Sequence, residues 1–203
     1  MIFKDTRVNS LSELVNVIKQ GTHRVTLKNH EATVSKGFMA EAIKYAHEHD
    51  VSVNVVINIP TETSYQYSDI EIKALEADIF EAQALGADSI EFLALNEDGS
   101  FDVETADQFL AACGGMEGTI NLSNIQFTND QLEKIAEWVE EKQISRVYTD
   151  NDSTDELIKL KEVLPNIVPA TISLEAAEKL EFKQIQLSRR PSGLRKTILL
   201  YNS

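Results

Sequence analysis

Cys113 and Met116 stand three apart as a C-x-x-M pair, and a thiolate beside a thioether is the soft donor set that suits Cu(I). The competing fate of a lone cysteine is that of a small buried hydrophobe, and Cys113 falls at the end of a helical pattern, on the side away from the expected site. No other metal set stands out. His47 and His49 lie two apart in a helical stretch and point to different faces, while His23 and His30 are isolated. No H-E-x-x-H, paired Cys-x-x-Cys or carboxylate triad occurs, and no Ser-His-Asp set can be singled out, so no catalytic residue is assigned.

A second group of residues suits ligand binding. Lys28, Asn58, Asn121, Thr149, Asp150, Ser188 and Arg189 each follow or interrupt a short apolar run. Together they could hold a small polar or anionic ligand. Amides and hydroxyls supply hydrogen bonds but are not acids or bases at neutral pH. Acid–base work would fall to Asp150, Asp152 or Glu62, with Arg189 holding an anion. Each also has a plainer reading: Asn58 and Asn121 as satisfied core amides, and Arg189 with Arg190 as a solvated basic turn. Side chains such as Lys28 or Tyr148 filling the site would argue against a substrate.

The elements that position these groups alternate along the chain. Short strands are expected at Met1 to Lys4, Arg24 to Leu27, Val51 to Ile59, Ser89 to Leu95, Thr119 to Leu122, Arg146 to Thr149, Asn166 to Pro169 and Phe182 to Leu187. The fourth reads as a near-continuous apolar run, suited to burial on both faces. Helices between them are announced by the capping pairs Ser10/Glu13, Ser68/Glu71, Thr128/Gln131 and Ser153/Glu156. Their apolar faces are expected at Phe38, Ala42, Tyr45 and Ala46, at Ile72, Leu75, Ile79 and Ala82, and at Val103, Ala106, Leu110 and Cys113. Gly86 is expected to close the third of the main helices in a left-handed conformation. Eight strands alternating with helices predict a compact α/β (β/α)8 barrel with short loops, whose working residues follow the strand ends. A doubly wound sheet would want a glycine-rich phosphate loop after its first strand, and none occurs.

Composition narrows the classes. The 203 residues carry no linker-like stretch, so one domain over residues 1–203 is expected. Net charge is −14, concentrated in residues 51–150, which hold 20 acidic and 4 basic side chains. A surface of that sign argues against nucleic-acid binding. No apolar run approaches the ~20 residues of a membrane span. The first residues lack a signal-peptide pattern, and a single cysteine forms no internal disulfide, so a cytoplasmic protein is expected.

The order of turns and helices from Val53 to Gly115 carries a resemblance. The helix after Ser68, the Gly86-Ala87-Asp88 turn, the Glu97-Asp98-Gly99 turn and the close at Gly114-Gly115 sit as in the CutC family of copper homeostasis proteins, with fainter echoes from Arg24 to about Arg195. The resemblance implies a cytosolic barrel, often a homo-oligomer, with a part in copper homeostasis and copper as its metal. It also implies departures at the strand ends. Where the family reads RIELC, this chain has Arg24-Val25-Thr26-Leu27-Lys28. The family's MIRPR becomes Val56-Ile57-Asn58-Ile59-Pro60, and the histidine of its FHRAFD is Asn121.

Overall fold

The computed structural model describes residues 2–29, 32–60, 65–123, 125–151, 153–170 and 172–187. Along them run β1 (Phe3–Val8), α1 (Leu11–Lys19), β2 (Arg24–Leu27), α2 (Lys36–His47), β3 (Ser52–Val56), α3 (Asp69–Leu85), β4 (Ser89–Phe92), α4 (Val103–Cys113), β5 (Glu117–Asn121), α5 (Asn129–Glu141), β6 (Val147–Thr149), α6 (Thr154–Val163), β7 (Ile167–Pro169), α7 (Leu174–Lys179) and β8 (Gln184–Leu187). Every ladder is parallel, in the order β7-β6-β5-β4-β3-β2-β1-β8. The edge strands β7 and β8 come side by side without a ladder between them among the described residues, giving a nearly closed eight-stranded barrel. A parallel strand pair cannot be joined by a tight turn, which is why a helix intervenes at each step.

Local chemistry sets the helix starts. The side chains of Ser10, Ser35, Asp102, Thr128, Ser153 and Ser173 each accept the N–H three residues on, meeting donors that have no partner within the helix. At α3 the Ser68 amide and hydroxyl donate to the Glu71 carboxylate at 2.7 and 2.6 Å. The hydroxyl first, then the amide, holds Glu71 below the usual carboxylate range. Gly86 closes α3 at φ +86°, a conformation that a Cβ would strain.

Several expectations need correction. β1 runs to Val8 rather than stopping at Lys4, because β2 and β8 bond it from both sides and Asp5 and Arg7 turn into a polar interior. β3 ends at Val56, so Asn58 lies beyond the strand. β4 is not apolar on both faces: its alternate residues Ser89 and Glu91 face the bore. In α4, Ala106 and Cys113 are buried as expected, but Phe109 takes the place given to Leu110, and Val103 is 45% exposed. Phe109 meets Phe92 edge-on at 5.5 Å and Tyr67 at 6.2 Å, and the larger aromatic area sets the rotation of the helix. In α2, Met39 and Ile43 are buried with Ala42 and Ala46, and Phe38 and Tyr45 are only half-buried.

The two faces of α4 can be told apart by stability. Phe109→Ala should lower the unfolding free energy by about 3–5 kcal/mol. Val103→Ala on the same helix should stay within about 0.5 kcal/mol. Urea denaturation followed by circular dichroism measures both; equal losses would contradict this helix orientation.

Candidate functional site

The bore of the barrel is polar, and hydrogen bonds between strands that are not neighbours prove it. Arg7 on β1 reaches Glu91 on β4, Nη2 to Oε1 at 2.9 Å, with Glu91 1% exposed. Tyr148 on β6 donates its hydroxyl to Asp5 on β1 at 2.6 Å. Only a path through the interior connects these strands. Thr26 donates to Asp5 at 2.8 Å, Asn54 donates to Thr26 and to Glu91 at 3.3 Å, Ser89 donates to Asn54 at 2.8 Å, and Asn121 donates to Glu91 at 2.6 Å. Gln186 on β8 donates to Asp5 at 3.5 Å. One network thus ties every strand except β7. Such satisfaction is required, since a buried carboxylate without partners costs several kcal/mol.

The network has a floor and a rim. Tyr148 is wholly buried at the level of Asp5, and burial, then the Asp5 and Glu91 charges, push its phenol well above the ordinary range. It fills the bore beside Asp5, as side chains do in barrels of this kind, and to that extent counts against a substrate there. Further along the strands lie Arg7, Glu91, Asn121 and Ser123, with Lys28 at the end of β2 and Asp150 after β6. The Lys28 ammonium is disfavoured by burial and by Arg7, and favoured by Glu91 and Asp150; the balance lowers its pKa. Tyr65 belongs to the same rim: burial, then Glu91, raise its pKa, with Arg7 and Asp150 also felt. Its backbone sits at φ +63°, a left-handed conformation that costs a bulky residue energy and is held by surrounding structure.

Arg7 Nε and the Ser123 hydroxyl are buried with no partner among the described residues, and Lys28 Nζ makes no hydrogen bond or ion pair there.

Of the residues singled out from sequence, Lys28, Asn121 and Asp150 come together. Asn58 does not: its backbone pairs with Thr33, and its side chain accepts from the Tyr67 hydroxyl at 3.4 Å, so it ties two loops. Thr149 is buried on the outer side of the wall, opposite the inward Tyr148, and its hydroxyl accepts the Asn151 N–H. Ser188, Arg189, Arg190, Glu62, Asp152 and His30 lie outside the described residues. Arg7, Glu91, Tyr65 and Asp5 escaped sequence reading; Glu91 amid Ser89-Ile90 and Phe92 was the available signal. A cavity of about 620 Å³ lies outside the wall between α5 and α6, with Leu122, Phe127, Leu160 and Ile167 in its lining. Asp150 borders both it and the rim.

Cys113 is 2% exposed and donates its thiol to the Phe109 carbonyl at 3.2 Å. Burial pushes that thiol up to about 12. Among the described residues no group of three or more His, Cys, Asp or Glu is arranged to hold a metal ion. No helix among them is long and apolar enough to cross a membrane.

The chain matches the CutC family over residues 3–173, a match that starts well before Arg24. The CutC family protein of Enterococcus faecalis (strain ATCC 700802 / V583) is 30% identical over 152 residues, 73% of this chain and 72% of that protein. The copper homeostasis protein cutC homolog of Homo sapiens is 34% identical over 110 residues, 52% of this chain and 39% of the human protein. Among solved structures, CutC from Streptococcus agalactiae superposes with a TM-score of 0.81 at 25% identity, over 94% of this chain and 99% of that one.

Two measurements bear on this geometry. Glu91→Ala strands the Arg7 charge in the interior and should cost about 3–5 kcal/mol. Tyr148→Phe removes one donor from the Asp5 carboxylate and should cost about 1.5–3 kcal/mol. Thermal or urea unfolding of both variants checks the pair, and losses below about 1 kcal/mol would be inconsistent with a buried network. Separately, Cys113 should resist a thiol reagent in the folded protein and react once unfolded. Its folded pKa stands above its ordinary 9.0, so its contribution to stability is present below that pH and is lost as pH climbs towards about 12. Rapid native labelling at pH 8 would contradict this burial.

Proposed function

This chain belongs to the CutC family, and from that premise we propose that it fills a CutC-like role by binding a small polar, anionic molecule at the barrel mouth. The observation that carries the proposal is a set of donors there without partners among the described residues. Arg7 Nε and the Ser123 hydroxyl are buried and unpartnered, and the half-buried Lys28 amine makes no hydrogen bond or ion pair among those residues. A carboxylate or phosphate supplies the acceptors they lack.

Copper enters through the relatives' names. A Cu(I) centre asks for converging soft donors. The described sulfur groups are Cys113 on α4, Met116 just after it, and Met39, buried on α2. Cys113 faces the core with a thiol that resists deprotonation, so the described donor set does not fit a copper centre. The proposed link to copper homeostasis is therefore indirect, through the bound molecule. The chain would act as a binding protein or a barrel enzyme in the cytoplasm, and a homo-oligomer is the proposed assembly.

Titration calorimetry with oxalate and with inorganic phosphate tests the mouth. Saturable binding should weaken by about tenfold in Lys28→Gln, which removes the amine's contact with the anion. No binding by the wild-type chain, or equal binding by the folded variant, would refute this reading. Anaerobic Cu(I) titration tests the metal: stoichiometric binding abolished by Cys113→Ser would restore a direct copper role.

A further inference from the structure

Resting on that reading of the mouth, we propose that Lys28 is a nucleophile that forms an imine with the carbonyl of a small oxo acid, so that the bound anion is an aldehyde or ketone carrying a carboxylate. Three observations support it. Lys28 stands at the end of β2, half-buried, on the rim where strand ends present reactive groups. Its amine has no hydrogen bond or ion pair among the described residues, although Glu91 is near; that carboxylate is already engaged by Arg7, Asn54 and Asn121. Burial and the Arg7 guanidinium favour the uncharged amine, the form that attacks carbonyls.

The neighbours fit the remaining needs. Arg7 supplies positive charge for the ligand's carboxylate. Asp150 lies within electrostatic reach of Lys28 and can carry a proton from nitrogen to oxygen. Tyr65 keeps its proton and can donate to the carbonyl oxygen. In the step itself, the amine lone pair forms the N–C bond while the C=O π pair moves to oxygen. That oxygen receives one proton from the amine, through Asp150, and one from solvent. It then leaves as water, and the nitrogen carries the C=N bond as an iminium. No oxidant or reductant is required.

Glyoxylate with sodium cyanoborohydride at neutral pH, followed by peptide mapping, tests the step. The reduced adduct should form at Lys28 several-fold faster than at the exposed Lys36, the direction set by burial and by the neighbouring Arg7 charge. Lys28→Arg removes the nucleophile, so it should abolish that adduct, while oxalate binding by the wild-type chain reports on the mouth separately. Labelling spread evenly over the surface lysines, with oxalate still bound, overturns the imine and leaves the mouth as an anion site. Absence of both the adduct and oxalate binding overturns the imine and the mouth reading together.

Discussion

The Arg7–Glu91 ion pair crosses the barrel from β1 to β4, and much else is arranged around it. The outer face of a parallel sheet is covered by helices, but the inner face has only itself to satisfy it. Once two charges occupy that space, the flanking strands must bring partners. Asn54 and Asn121 donate to the same carboxylate from β3 and β5, and Thr26 relays the contact to Asp5. This fixes side-chain identity at alternate positions on several strands at once. It also engages both oxygens of Glu91 and both of Asp5.

The outer layer is coupled to that rim through aromatic rings. Phe92 on β4 packs against Phe109 on α4, and Phe109 against Tyr67 in the segment before α3. Tyr67 reaches Asn58, and two residues before it stands Tyr65 with its left-handed backbone. The placement of Tyr67, two residues on from Tyr65, is thus tied to core packing. A group placed this way is held in advance of any ligand, so less ordering is lost on binding.

The alternation of elements and the helix starts were legible because their signals are local. A capping serine and its partner lie three residues apart, and eight apolar runs separated by helical patterns leave few topologies. The extent of β1 was not legible, since Asp5 and Arg7 look like the end of a strand until the interior is known to be polar. Their partners are distant in sequence: 84 residues separate Arg7 from Glu91, and 143 separate Asp5 from Tyr148. Lys28 and Asp150 could be picked from the rule that sites follow strand ends, and Asn121 as an amide inside an apolar strand. Thr149 was misplaced because one residue along a strand changes the face, and Asn58 because β3 ends sooner than its apolar letters do.

The seam between β7 and β8 gives the barrel a beginning and an end. Strands β1 to β5 run four to six residues, whereas β6 and β7 have three each. Closing the sheet brings together residues from opposite ends of the sequence, and the Tyr148–Asp5 contact exists only in the closed form. It acts as a latch, tying the sixth strand back to the first across the bore.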